Sequence, residues 1–230
     1  MSRELYTALS GAVAHGRALD IVAENVANAS TSGYRAQRST FQKVMGETDM
    51  VHALEPSPLP GRGAITETGN PLDLAVESDG WFVLEGGDGP RLTRAGAFHL
   101  DPEGRVVNRD GLMVLGDNGE PLEIPPTTKQ VAVGNDGVVS ADAEVVGKVW
   151  IARVADADLV ANGGPFRLRQ GAALATDTEA HVRSGALEGS SVQVVREMVD
   201  LIQGSRLYEA ATKAVQTIAD LEHRTARGGR

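Results

Sequence analysis

An α+β fold is predicted, in which N- and C-terminal helices form a coiled-coil-like core and a central all-β domain lies between them in the chain. Three observations carry this. Residues 3 to about 28 and about 191 to 226 contain no proline and show helical apolar periodicity. The stretch between them is rich in Gly and Pro. Short apolar runs recur there at intervals of roughly ten residues, with turn sequences between them, as in antiparallel β domains.

The composition bounds what such a chain does. Its 230 residues suffice for one or two domains with a sizeable core. The formal charge of −9, with no Lys/Arg cluster, argues against nucleic acid as a partner. The chain has no cysteine, which excludes disulfides, thiolate chemistry and Cys-based zinc sites. No run approaches the ~20 apolar residues of a membrane-spanning helix. The start, MSRELYTALSGAVAHGRALD, lacks a continuous apolar stretch, so no cleavable secretory signal is expected.

In the first segment Leu5, Leu9, Ala12, Gly16, Leu19, Ala23 and Val26 alternate at spacings of 4 and 3, a seam of period 3.5 in which small residues alternate with large ones. The polar stretch VAENVANASTSGYRAQ follows at 22–37. Asn25 and Asn28 stand at helical i, i+3 spacing near the end of the seam, where amides bond to adjacent backbone. Gly33 supplies a permissive backbone at the stop, and Tyr34 a ring for packing the exit. An extended linker is expected over 36–69, following the 1–35 helix and turn.

The β domain is expected over 70–188. Its strand candidates are LDLAV (72–76), WFVL (81–84), RVV (105–107), LMVL (112–115), QVAV (130–133) and KVWIARV (148–154). Asp101-Pro102-Glu103-Gly104, Asp117-Asn118-Gly119 and Asn135-Asp136-Gly137 punctuate them as tight turns. The last segment, 189–230, carries a second seam of Val194, Met198, Leu201, Ser205, Tyr208, Ala211, Val215 and Ile218. Arg196, Gln203, Lys213 and Asp220 lie opposite, and Ser190-x-x-Gln193 has the pattern of a capping box. Narrow seams bury well against one or a few helices and poorly against a sheet. The two termini are therefore expected to pair with each other and with helices of neighbouring molecules, against the simpler alternative of an intramolecular hairpin.

No catalytic, cofactor or metal site is expected. The histidines His15, His52, His99, His181 and His223 are scattered, with no i, i+4 pair. Pro60-Gly61-Arg62-Gly63 lacks the third glycine of a nucleotide fingerprint and reads as a flexible connector. Asp73, Glu77 and Asp79 read as solvent-facing carboxylates. Ser32 and Ser190 read as helix-end hydroxyls, since no GxSxG elbow is present. Trp81, Phe82 and Trp150 read as core or interface residues in preference to a sugar-stacking platform.

Three ordered motifs carry a resemblance. Ala23-Glu24-Asn25-Val26-Ala27-Asn28-Ala29-Ser30-Thr31-Ser32-Gly33-Tyr34 resembles the N-terminal signature of bacterial flagellar rod, hook and hook-associated axial proteins. Gly69-Asn70-Pro71-Leu72-Asp73-Leu74-Ala75, Asp79-Gly80-Trp81-Phe82-Val83 and Thr93-Arg94-Ala95-Gly96 resemble the start of their β domain. Glu197-Met198-Val199-Asp200-Leu201-Ile202 with Arg206-x-Tyr208-Glu209 resembles their terminal helix. The short length and Ser184–Val192 are most like the F-type of the proximal rod, with the G-type of the distal rod as the alternative; Glu24 and Ser205 depart from residues usual in the family.

The resemblance implies a non-enzymatic subunit exported through the flagellar type III channel without a signal peptide. It implies polymerisation in the periplasm through the terminal helices, with the β domain outside. Its partners are then copies of itself, other rod proteins, the export apparatus and components of the rings or peptidoglycan layer. The implied interface comprises the seam residues Leu5, Leu9, Ala12, Leu19, Ala23, Val26, Val194, Met198, Leu201, Ile202, Tyr208, Ala211, Val215 and Ile218, with Asn25, Asn28, Thr31, Gly33 and Tyr34 at the turn. The contrasting expectation is a secreted carbohydrate-binding or hydrolytic β domain with an incidental helical hairpin.

Overall fold

The computed structural model describes residues 3–38, 41–44, 50–53, 56–161 and 164–228. They form two compact units, one of Met1–Ala27, Gln37–Pro56 and Gln193–Arg230, the other of Asn28–Ala36 and Ser57–Val192.

The first unit is built on α1 (Arg3–Ala27) and α2 (Val194–Gly228), which pack on one another. With 35 residues, α2 is about 52 Å long. The helices run antiparallel, since Gly16 meets Tyr208, Leu19 meets Gly204 and Asn25 meets Glu197. A Cβ at Gly16 would stand 3.3 Å from Tyr208 Cε2, and one at Gly204 3.2 Å from Leu19 Cδ1. These glycines cost helix propensity, about 1 kcal/mol each relative to Ala, and in return the helix axes approach closely. Gly16 and Gly204 thus serve pairing within one chain. The segment expected as an extended linker instead supplies this unit with a hairpin of Phe41–Val44 and Met50–Ala53, antiparallel with Phe41 opposite Ala53, lying beside α1.

The expected capping box at Ser190 is corrected by the start of α2. Gln193 is the N-cap, its carbonyl accepting the Glu197 N–H at 3.0 Å. The Ser190 hydroxyl accepts the Val192 N–H in a turn ahead of the helix. The neighbouring Ser191 explains the delay: its N–H donates to the Tyr34 carbonyl, and its hydroxyl accepts the Ala36 N–H, which holds the backbone there out of helical geometry.

The second unit is β throughout, apart from a 3-10 turn at Asp156–Asp158. Its main sheet is antiparallel, in the order Leu159–Val160, Phe166–Leu168, Arg91–Thr93, Gly80–Leu84, Ile151–Arg153, Ala175–Thr176. A three-stranded sheet of Val131–Val133, Val138–Ala141 and Glu144–Lys148 carries a bulge at Val139/Ser140. The strand Gly80–Leu84 is buried along its whole length. Because side chains alternate along a strand, Phe82 and Leu84 enter one core with Leu74, Phe98, Val114 and Ile124, while Trp81 and Val83 enter another with Leu92, Leu159 and Phe166. The continuous apolar run WFVL therefore marks a strand covered on both faces. Trp81 and Phe82 are core residues, Trp81 packing edge-on to Phe166 at 5.3 Å.

Candidate assembly interface

The predicted seams divide into two sets of positions. On α1, Ala12 is buried and Leu19 and Val26 are half-buried, whereas Leu9 and Ala23 are exposed. The Leu5 side chain lies outside the described residues. On α2, Leu201, Ala211, Val215 and Ile218 are half-buried, and Tyr208 lays its ring on Gly16 while staying partly exposed. Met198 and Ile202 do not join them. They stand with Val195 and Val199 at i, i+3, i+4, i+7, between 47% and 78% exposed, and Val194 is exposed beside them. Leu9 and Val13 on α1 are also about half exposed. Helix pairing within the chain thus leaves apolar side chains at helical spacing in water. Val13, Val195 and Val199 were outside the predicted seam, although the run VVREMVDLI already holds both registers.

Asn25 closes the helical unit from within. It is 1% exposed. Its Oδ1 accepts the Gln37 N–H and its Nδ2 donates to the Gln37 carbonyl, both at 2.9 Å, so the amide pairs with backbone as a neighbouring strand would. Nδ2 also donates to Glu197 Oε2 at 3.2 Å, joining α1, the segment at Gln37 and α2.

In the β unit, Asn28 opens the turn: its carbonyl accepts the Thr31 N–H and its Oδ1 the Thr31 hydroxyl, both at 3.1 Å. Gly33 is held at φ +66 by the 2.7 Å bond from its N–H to the Glu188 carbonyl. A Cβ there would overlap the backbone of Arg94 and Ala95. Glycine is thus required twice over, by backbone conformation and by space. Half-buried Tyr34 accepts from Ser191 through its carbonyl at 3.0 Å.

Behind this turn sits a polar centre that the sequence does not single out. Arg94 is 1% exposed and donates from Nε to Glu188 Oε2 at 2.8 Å, with Nη2 of Arg94 2.7 Å from the same oxygen. Its Nη1 donates to the carbonyls of Ser78 and Gly80, and its Nη2 to that of Val76. Glu188 Oε1 accepts the Gly63 N–H at 3.1 Å. One guanidinium therefore closes three carbonyls and a carboxylate, the full use of a rigid fork. Burial pushes the Arg94 pKa down and Glu188 counters it. Arg35, beside them, is buried with its guanidinium 5.4 Å from the Trp81 centroid.

Of the carboxylates expected to face solvent, Glu77 and Asp79 are exposed and Asp73 is half-buried, and all three are engaged. Asp73 accepts from Thr68 and Asn70, Glu77 pairs with Arg183, and Asp79 pairs with Arg62. Pro60–Gly63 is not a loose connector: Arg62 is tied to Asp79 and the Glu77 carbonyl, and Gly63 to Glu188. No described helix is long and apolar enough to cross a membrane.

Comparison with known proteins matches three family models in order along the chain. Residues 5–35 match "Flagella basal body rod protein", residues 75–141 "Flagellar hook protein FlgE/F/G D1 domain", and residues 183–227 "Flagellar basal body rod FlgEFG protein C-terminal". The chain is 34% identical to the flagellar basal-body rod protein FlgF of Caulobacter vibrioides, over 96% of this chain and 95% of that one. It is 30% identical to FlgF of Salmonella typhimurium over 97% of each chain. It is likewise 30% identical to FlgG of Bacillus subtilis, over 94% of this chain and 95% of that one.

Proposed function

The chain belongs to the flagellar basal-body rod protein family, and on that premise we propose that it is a proximal-rod subunit polymerised through its terminal helices. It is a structural subunit of the flagellar basal-body rod, not an enzyme, and it assembles with other rod subunits. The proposal concerns which face does so. The exposed stripe Val195, Met198, Val199 and Ile202, with Leu9 and Val13, is the observation that carries it.

Full burial of a Val, Leu, Ile or Met side chain stabilises by about 1.5–3 kcal/mol. Six such groups, each already partly covered, contribute about 5–9 kcal/mol. That is comparable with the cost of immobilising a subunit, about 4–15 kcal/mol. A single contact is then weak, and stable assembly requires each subunit to touch several neighbours through unlike faces, as helical polymers do. Two different terminal helices supply unlike faces. Export through the flagellar type III channel, copies of itself as neighbours, and contact with ring or peptidoglycan-layer components belong to the same reading.

Leu9→Asp and Ile202→Asp test it, because both positions are exposed and the isolated fold should tolerate the change. Each variant is expected to be made and folded yet absent from isolated basal bodies, with motility lost; normal incorporation and swarming would sink the assignment. A distal-rod role is the second reading, favoured by the FlgG relative at 30% identity. Localising the subunit in basal-body density separates the two.

A further inference from the structure

Arg35 carries a buried guanidinium Nε–H without an acceptor. The residue is 7% exposed and its Nε, sealed from solvent, has no hydrogen-bond partner among the described residues. Burial pushes its pKa below the usual arginine value, and the Glu188 and Asp156 carboxylates pull it back up. Arginine keeps its charge in proteins, so the site holds a largely desolvated cation, and leaving its buried Nε–H unpaired is costly.

The neighbouring carboxylates attract the charge but give its Nε no acceptor. Glu188 is occupied by Arg94 and the Gly63 N–H. Asp79 is occupied by Arg62, which also holds the Glu77 carbonyl. The only described aromatic relief is the Trp81 face, whose cation–π attraction supplies no hydrogen-bond acceptor. In front of Arg35 opens a cavity of about 370 Å³, lined by Arg35, Arg62, Asp79, Trp81, Val154 and Asp156. That is room for a side-chain terminus.

We propose that this cavity is a docking site for a carboxylate side chain presented by a second rod subunit, seated on Arg35 against Trp81. This rests on the rod reading above. Arginine's planar fork matches a carboxylate bidentately. Asp79 and Asp156 on the wall weaken the binding of a free carboxylate without abolishing it, so full occupancy comes from a carboxylate held in place by a larger contact, at high effective concentration. The chain itself supplies such groups, with a formal charge of −9 and an acidic turn tip at Asp117–Glu120.

The test has two arms on the full-length chain. In the first, the Arg35 Hε resonance is followed by NMR while N-acetyl-glutamate N-methylamide is added, against the glutamine analogue and sodium chloride at matched ionic strength. A saturable shift with the glutamate compound alone is expected. No shift, or an equal shift with chloride, which marks an adventitious ion only, overturns the proposal.

In the second arm, Arg35→Lys and Ala155→Trp replace the wild type in cells. The first keeps the charge and loses the fork; the second blocks the exposed mouth and leaves Arg35 intact. Both are expected to match the wild-type melting temperature closely and to reach basal bodies roughly tenfold less. Wild-type incorporation of both variants, even with a positive glutamate titration, restricts the cavity to free anions and overturns the subunit contact. Absence of the wild-type chain itself from basal bodies would refute the rod reading and leave the first arm to decide the cavity.

Discussion

Replacing Asn25 by Asp changes one atom and tests how the helical unit is closed. The aspartate keeps an oxygen to accept the Gln37 N–H, but loses both Nδ2 bonds, to the Gln37 carbonyl at 2.9 Å and to Glu197 Oε2 at 3.2 Å. Leaving a buried acceptor unpaired costs about 1–3 kcal/mol. Two carboxylates about 3.2 Å apart add Coulomb repulsion of about 5 kcal/mol at an effective dielectric of 20, an upper bound that protonation of either group relieves. A net loss of about 3–5 kcal/mol near neutral pH follows. Adding Glu197→Gln should recover much of the repulsive part, because its amide donates to the new carboxylate. The assay is urea unfolding followed by circular dichroism at 222 nm on wild type, both single variants and the double variant, closed as a cycle. An Asn25→Asp protein as stable as wild type, or a double variant no better than Asn25→Asp, would refute the account.

Gly33→Ala is expected to destabilise the β unit by about 2–5 kcal/mol, the sum of a positive-φ penalty and overlap with the Arg94–Ala95 backbone, read as a lower melting temperature. Ala143→Gly should do the opposite: Ala143 sits at φ +73 in the turn before Glu144–Lys148, so glycine relieves about 1 kcal/mol and raises the melting temperature; no rise refutes the strain. Asp101 has its carboxyl held below the usual range: desolvation opposes this, and the Arg105 and Glu103 N–H groups with the Arg105 side chain outweigh it. Its folded pKa being depressed, its stabilisation is present above the ordinary aspartate value and disappears as pH falls through the depressed one. The melting gap between wild type and Asp101→Asn should therefore be present at pH 6 and close toward pH 2.

What sequence settles here are features with a local cause. Helical seams, proline-free ends, turn glycines and the buried run WFVL each arise from residues within a few positions of one another, and they suffice for an α+β chain with helical termini around a β region. The family was legible too, because its motifs are contiguous. Which apolar register faces a partner helix was not legible: VVREMVDLI holds two overlapping stripes, and only the close approach at Gly16 and Gly204 selects the one that α1 covers. The start of α2 at Val194 was likewise set from far along the chain, by Ser191 bonding to Tyr34 and Ala36. Arg94 and Glu188, 94 positions apart, form a buried pair that neither residue's neighbours predict. Periodicity reports on faces, whereas burial and pairing of charges are decided only when distant segments meet, because desolvation exists only in the folded chain.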